Sequence, residues 1–189
     1  MKKILLLLFI LIISLILVAI FKEKDTTYVN PVFLFNASLT KIYKGEKEEL
    51  DKILSNPKYI PNMETKEGIT LLIAAALKDD YEMIELLHSK GEDYNYQNKN
   101  GETMLMYSAM SNIKTTIKLL KNDKVNKNLL DNGNNNFLHY LTINKNEDLI
   151  NKLKTKKEYK KYFKQKNDGN FTPLELQIKN LKEGLSNDN

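Results

Sequence analysis

Cysteine is absent from the 189 residues, and so is arginine, because all 29 basic residues are lysine. Without cysteine there is no disulfide, no thiolate metal ligand, no thiol nucleophile and no lipid-bearing thiol. Without arginine there is no planar fork to grip a phosphate or carboxylate at two points. Histidine occurs only as His88 and His139, and tryptophan does not occur. No glycine-rich phosphate loop and no serine in a nucleophile elbow can be found. Glu48 with Glu49, and Asp79 with Asp80, are sequence neighbours. Adjacent residues on a helix do not converge on one substrate. These gaps argue against an enzyme, a metal site, a cofactor and a small-molecule substrate. A binding protein is the expectation that remains.

One long apolar run is present. Ile4 to Phe21 is apolar throughout except for Ser14. A spanning helix needs about 20 such residues, with a lower limit near 17. Lys2 and Lys3 precede the run, whereas Lys22, Glu23, Lys24 and Asp25 come after it with no net charge. This bias keeps the N-terminus in the cytoplasm and sends the rest of the chain across the membrane. Residues 1–25 are therefore expected to be a signal anchor or transmembrane segment. The alternative is a cleaved secretory signal, for which Leu17 and Ala19 make a poor cleavage site. Either reading places the rest of the chain outside the cytoplasm, anchored in one case and secreted or periplasmic in the other.

The remainder repeats. Gly68 returns as Gly101 after 33 residues. The same step links Leu39, Leu72, Leu105 and Leu138, then Leu54, Leu87, Leu120 and Leu153, then Asn62, Asn95 and Asn128. Each copy holds two short helical patterns, such as Leu71, Leu72, Ala75 and Ala76 succeeded by Met83, Ile84, Leu86 and Leu87. Thr70, Thr103 and Asn136 are placed to cap the first helices, and Gly91 to stop a second.

This pattern resembles the ankyrin repeat. The second copy carries Gly68, Thr70, Leu72, Ala75, Ala76, Ile84, Leu86, Leu87, Gly91, Asp93 and Asn95 at the family's positions. The third carries Gly101, Thr103, Leu105, Ala109, Ile117, Leu119 and Leu120. In the fourth, Asn134 replaces the turn glycine, which asparagine does best among residues with a side chain. Leu138 and His139 supply the family's Leu-His pair. The proline before the key leucine is replaced by Leu71, Met104 and Phe137, and returns only at Pro173 after a 36-residue step from Leu138 to Leu174.

The resemblance implies an all-α solenoid of about three full repeats between partial caps, preceded by one N-terminal transmembrane or signal helix. The layout expected is a linker at 26–35, repeats at about 36–62, 63–97, 98–130, 131–167 and 168–185, and a tail at 186–189. Tyr28, Val32, Phe33, Leu34 and Phe35 are apolar enough to pack on the first repeat. The last copy has room for one helix and part of a second. Helix pairs of this kind cannot bury an apolar stripe alone, so the neighbours must cover it.

The resemblance also implies where a protein partner docks: the concave face and the hairpin tips. By position these are Lys66, Glu67, Ile69, Leu77 and Lys78; then Lys99, Asn100, Glu102, Met110 and Ser111; then Asn132, Asn135, Ile143 and Asn144. Ile69, Leu77, Met110 and Ile143 are the informative members, since apolar side chains at exposed positions are contact candidates. The competing reading is that they shield neighbouring repeats. Tyr94 is expected to pack inward, while Tyr96 could serve either purpose. His139 is expected to bond to a neighbouring hairpin, and neither histidine to be a ligand.

Charge is uneven. Residues 41–102 hold 9 lysines and 13 acids, a net of −4, whereas residues 114–166 hold 14 lysines and 5 acids, a net of +9. Lys156, Lys157, Lys160 and Lys161 form a basic patch with Tyr159, Tyr162 and Phe163 interleaved. Lysine with aromatics suits an anionic lipid, polymer or protein face. The plain alternative is a solvated helix in a lysine-rich proteome, and nucleic acid is not expected of an exported domain. Asn36-Ala37-Ser38 and Asn170-Phe171-Thr172 match the glycosylation triplet. Three functional readings result: an anchored protein-binding module, a secreted effector or inhibitor, and an envelope module docking its basic stretch on anionic lipid or polymer. Short ankyrin-like chains with this A+T-biased composition suggest a bacterial envelope.

Overall fold

The computed structural model describes residues 29–143 and 147–186. The first helix, α1 (Pro31–Lys44), starts where Asn30 Oδ1 accepts from the Phe33 amide at 2.8 Å and proline fills the first position. It stops at Gly45, whose φ of 74° lets the Glu46 amide return to the Lys41 carbonyl at 2.9 Å. The helix thus begins inside the stretch expected to be a linker. Leu34 and Phe35 are buried, but Val32 and Phe33 are 53% and 63% exposed. Successive helical residues point about 100° apart, so four apolar residues in a row cannot all face the core. Tyr28 lies outside the described residues.

Helix α2 (Lys47–Leu54) completes the first pair. Helices α3 (Leu71–Leu77) and α4 (Tyr81–Ser89) form the second, and α5 (Met104–Ser111) and α6 (Ile113–Lys121) the third. The fourth comprises α7 (Phe137–Ile143) and α8 (Glu147–Lys154). A 3-10 turn (Lys157–Tyr159), a short α9 (Lys160–Lys164) and a closing α10 (Pro173–Ser186) come next. The last copy supplies one helix that runs on to Ser186 instead of turning back into a second.

The first helices stack in chain order: α1 on α3, α3 on α5, α5 on α7, α7 on α10. Helices α2, α4 and α6 pack behind their partners. Leu72, Leu105 and Leu138 are buried, as are Leu54, Leu87, Leu120 and Leu153, in one continuous core. Small Ala74, Ala75 and Ala76, all fully buried, let α3 sit close to its neighbours. Capping agrees with the sequence. Thr70 Oγ1 accepts from Ile73 at 3.1 Å, and Asn136 Oδ1 from Leu138 at 2.9 Å. At α10, Thr172 and Glu175 cap reciprocally, the Thr172 amide reaching Glu175 Oε2 at 2.8 Å.

Four hairpin turns share one plan. Thr65, Asn98, Asp131 and Asn167 each donate their amide to the carbonyl four residues on, at 3.0 Å. Their side-chain oxygens accept the amides of Ile69, Glu102, Asn135 and Phe171 in return. The left-handed position is Gly68, Gly101, Asn134 and Asn170, with φ of 86°, 75°, 60° and 62°. Asn134 therefore does the work of glycine, as expected. Gly101 has a second constraint, because a Cβ there would lie 2.8 Å from the backbone nitrogen of Asn132 in the next turn.

A ladder of asparagines ties the pairs at their other end. Asn62 Oδ1 accepts from the Asp93 amide at 2.9 Å, and Asn95 Oδ1 from the Asn126 amide at 2.7 Å. The ladder ends at Asn128, whose Oδ1 meets Lys161 Nζ at 2.6 Å and the Tyr162 hydroxyl at 3.0 Å instead. That break coincides with the longer 36-residue step and with the extra turn at residues 157–164. Among the described residues no helix is long and apolar enough to cross a membrane. The apolar block at residues 4–21 lies outside them.

Candidate functional site

The stacking carries side chains upward in rows at the 33-residue step. Lys66, Lys99 and Asn132 occupy the hairpin tips, and all three are exposed. They are also tied to one another. Lys99 Nζ donates to the Lys66 carbonyl, and the Lys99 amide donates to Glu64 Oε2 at 3.0 Å. Asn132 Nδ2 donates to the Lys99 carbonyl at 3.0 Å, and the Asn132 amide to the Asn100 carbonyl at 2.9 Å. Glu67, also exposed, sits at a turn held by Thr65. Much of the tip polarity thus fastens one turn to the next.

Ile69, Glu102 and Asn135 form a second row, half-buried at the base of the turns. Ile69 packs against the core. Asn135 gives Nδ2 to Asp131 Oδ2 at 2.9 Å and accepts from Asn167 Nδ2 at 2.8 Å. Glu102 Oε2 accepts from Asn98 Nδ2 at 2.9 Å, Asn100 Nδ2 at 3.2 Å and the Tyr107 hydroxyl at 3.1 Å. Its Oε1 lies 3.1 Å from the Tyr140 hydroxyl, which reaches Asp131 Oδ2 at 2.7 Å on its other side. Burial and the Glu102 carboxylate push the Tyr107 hydroxyl up to about 12. Burial and Asp131 raise Tyr140 further still, so both phenols remain protonated donors.

Leu77, Met110 and Ile143 form a third row at the ends of α3, α5 and α7. Leu77 is half-buried against the core, and its carbonyl accepts from Asn112 Nδ2 at 2.8 Å. Met110 is half-buried, and Ile143 is 49% exposed. Residues three apart on a helix are surface neighbours. Tyr107 therefore lies beside Met110, and Tyr140 beside Ile143, on two directly stacked helices. The outcome is an apolar and aromatic patch bordered by Glu102 and Asp131. Lys78 and Ser111 are exposed next to it, and Asn144 lies outside the described residues.

Tyr107, Tyr140 and Asp131 belong to no motif that marks them in the sequence. A weaker signal exists, since the two tyrosines keep the 33-residue step at the position two after the key leucine. Alanine at the matching Ala74 conceals it.

The remaining candidates resolve on burial. Tyr94 is buried, stacks on His88 at 3.8 Å and donates to Glu85 at 2.7 Å, as expected. Tyr96 is half-buried. His139 Nε2 donates to the Phe171 carbonyl at 3.1 Å in the next turn, while Nδ1 lies 3.1 Å from the Asn136 amide and 3.0 Å from Asn136 Oδ1. Burial lowers the pKa of the imidazole and favours its neutral form. Lys156, Lys157, Lys160 and Lys161 are exposed, but the aromatics between them are not free. Tyr159 is buried, Tyr159 and Tyr162 meet Phe137 edge-on, and Phe163 packs on the core. In the triplet at Asn36 the asparagine is exposed on α1, whereas Ser38 is fully buried. No group of three His, Asp or Glu side chains among the described residues could hold a metal.

One residue breaks the pattern without warning. Glu92 is 2% exposed, with Oε1 on the Tyr59 hydroxyl and no partner for Oε2 among the described residues. Burial raises its pKa.

Stacked helix pairs joined by hydrogen-bonded turns, with variable side chains lining one side, define a tandem-repeat binding scaffold. The family model for ankyrin repeats in three copies matches residues 39–131 and again residues 71–165. Together these spans cover well over half of the chain, which therefore belongs to the ankyrin repeat family. A search of the curated proteins finds no match. Ankyrin repeats are in general protein–protein interaction modules.

Proposed function

We propose that the chain is a non-catalytic, membrane-anchored module that binds a protein through the first-helix and hairpin side of its repeats. The contact surface centres on Met110 and Ile143, with Tyr107 beside the first and Tyr140 beside the second, and with Lys66, Glu67, Lys99, Asn100 and Glu102 along the tips. The observation that carries this reading is the patch itself. Ile143 holds half its surface in water beside Tyr140, and the hydroxyls of Tyr107 and Tyr140 are already committed to carboxylates. Such a site has apolar area to bury and no ordering cost for its aromatics, which suits an interface anchor. Anchoring rests on the apolar block at residues 4–21 and on Lys2 and Lys3 before it. The N-terminus then lies in the cytoplasm and the repeats outside it.

Two experiments test the two halves. The double variant Met110→Glu/Ile143→Glu should keep its melting temperature and lose the partner on co-purification, whereas Ser89→Glu on the opposite layer should retain it. Equal retention by both would refute the surface. For the anchor, the full chain with a C-terminal tag should stay membrane-bound at intact mass, with the tag digested from outside the cell. A soluble product shorter by about 20 residues, or a protected tag, would refute it.

A further inference from the structure

Ion pairing in this chain is one-sided. The four ion pairs between described residues join Lys41–Glu46, Lys47–Asp80, Lys47–Glu82 and Lys90–Asp51. All lie in the acidic half. The half that carries a net +9 contributes none among the described residues. Most of its described lysines face solvent, and none lies within ion-pairing distance of a described carboxylate.

Three of them ring a groove. Helices α6 and α8 face each other across it. The space between holds a cavity of about 90 Å³. Ile117, Leu120, Leu149, Leu153 and Tyr159 line it. Lys121, Lys152 and Lys156 stand at its rim, exposed, with no carboxylate within ion-pairing distance among the described residues. Asp123 and Glu158 line a separate cleft beyond Leu120 and Tyr159.

We propose that this groove, on the layer of second helices, is a second docking site that takes an acidic protein segment with one apolar anchor side chain. Size, floor and rim each select the occupant. The cavity admits one side chain, whereas small-molecule sites run to roughly 300–1,000 Å³. A lipid acyl chain does not fit it. A nucleic acid finds no free aromatic face, because Tyr159 and Tyr162 pack edge-on against Phe137. Three uncompensated ammonium groups around an apolar floor complement a leucine or phenylalanine flanked by carboxylates. The charge steers the encounter, and the anchor fixes the register. This site is separate from the patch at Met110 and Ile143, and a partner can occupy each independently.

The test uses the full chain in phosphatidylcholine nanodiscs and fluorescence anisotropy of labelled peptides. The probe has six acidic residues around a central leucine, and its control has glycine in place of leucine. The leucine peptide should bind about tenfold tighter than the control, the gain expected from burying one such side chain. The variant Lys121→Gln/Lys152→Gln/Lys156→Gln should weaken the leucine peptide about tenfold. Lys157→Gln/Lys160→Gln/Lys164→Gln removes equal charge elsewhere and should leave binding within about twofold. Equal binding of the two peptides, no binding of either, or equal losses in both variants would overturn the proposal. So would displacement of the leucine peptide by phosphatidylglycerol vesicles but not by phosphatidylcholine vesicles, which would assign the lysines to a lipid surface.

Discussion

The hydroxyl of Tyr140 lies 3.1 Å from Oε1 of Glu102, 38 residues earlier in the chain. The contact joins the first helix of the fourth pair to the turn that opens the third. Asp131 closes it from the other side at 2.7 Å. Two carboxylates are thereby held beside the apolar row, and the tyrosine ring is fixed before any partner arrives.

Removing that hydroxyl should loosen the upper half of the array. Tyr140→Phe should lower unfolding free energy by about 1.5–3 kcal/mol, the usual loss for a bond to a charged group. Urea unfolding monitored by circular dichroism measures it. A loss below about 0.5 kcal/mol would mean that water replaces the phenol freely.

The asparagine ladder allows a comparison within one chain. Asn95 accepts the Asn126 amide and donates to the Lys124 carbonyl, so it serves two backbone groups. Asn128 occupies the equivalent place but serves three exposed side-chain contacts, with Asn126, Lys161 and Tyr162. Asn95→Ala should cost about 1–3 kcal/mol, and Asn128→Ala no more than about 0.5 kcal/mol. Equal costs would show that the ladder does not hold the repeats in register.

Glu92 should make stability fall as pH rises. Its folded pKa is raised above the ordinary 4.5 by burial, so the native state holds a proton that the unfolded chain releases. The contribution is intact below about pH 4.5 and is lost as pH climbs through the folded pKa. Glu92→Gln keeps an acceptor for Tyr59 and removes the titration. Unfolding midpoints of the two forms should be closest at pH 4 and diverge toward pH 8, with the glutamine form higher. Parallel curves would contradict the buried carboxyl.

His139 has the opposite sign. Its folded pKa is lowered below 6.5, chiefly by burial, so the unfolded chain binds the proton first. Its contribution is full above about pH 6.5 and is lost on acidification through the folded pKa. His139→Gln should be destabilised at pH 7.5 yet lose less between pH 7 and pH 5 than the native chain. An unchanged slope would mean that burial does not hold the imidazole neutral.

Much of the fold is legible in the sequence because its signals are periodic and local. The leucines at the 33-residue step fix the helix pairs, and Thr70, Thr103 and Asn136 mark their starts. The turn anchors are only partly legible, because Thr65, Asn98, Asp131 and Asn167 share one hydrogen-bonding role across three residue types. Chemistry repeats there more faithfully than letters do. The start of α1 is hidden because an apolar run such as Val32 to Phe35 has no period of its own. Glu92 stands where the family places a small residue, and nothing nearby in sequence announces that Tyr59, 33 residues earlier, will meet it. Site residues are legible as rows, but exposure is not. Ile69 and Leu77 sink half into the core, whereas Ile143 stays in water, because each depends on neighbours above and below.

The most direct measurement is position-resolved photo-crosslinking in the native membrane. A photoreactive phenylalanine analogue would replace Ile143, Met110, Lys99 or, on the opposite layer, Ser89. The expected result is one discrete crosslinked protein, shared by Ile143, Met110 and Lys99 and absent at Ser89. Bands of equal strength at Ser89, or none at Ile143 and Met110, would contradict a partner bound to the first-helix side.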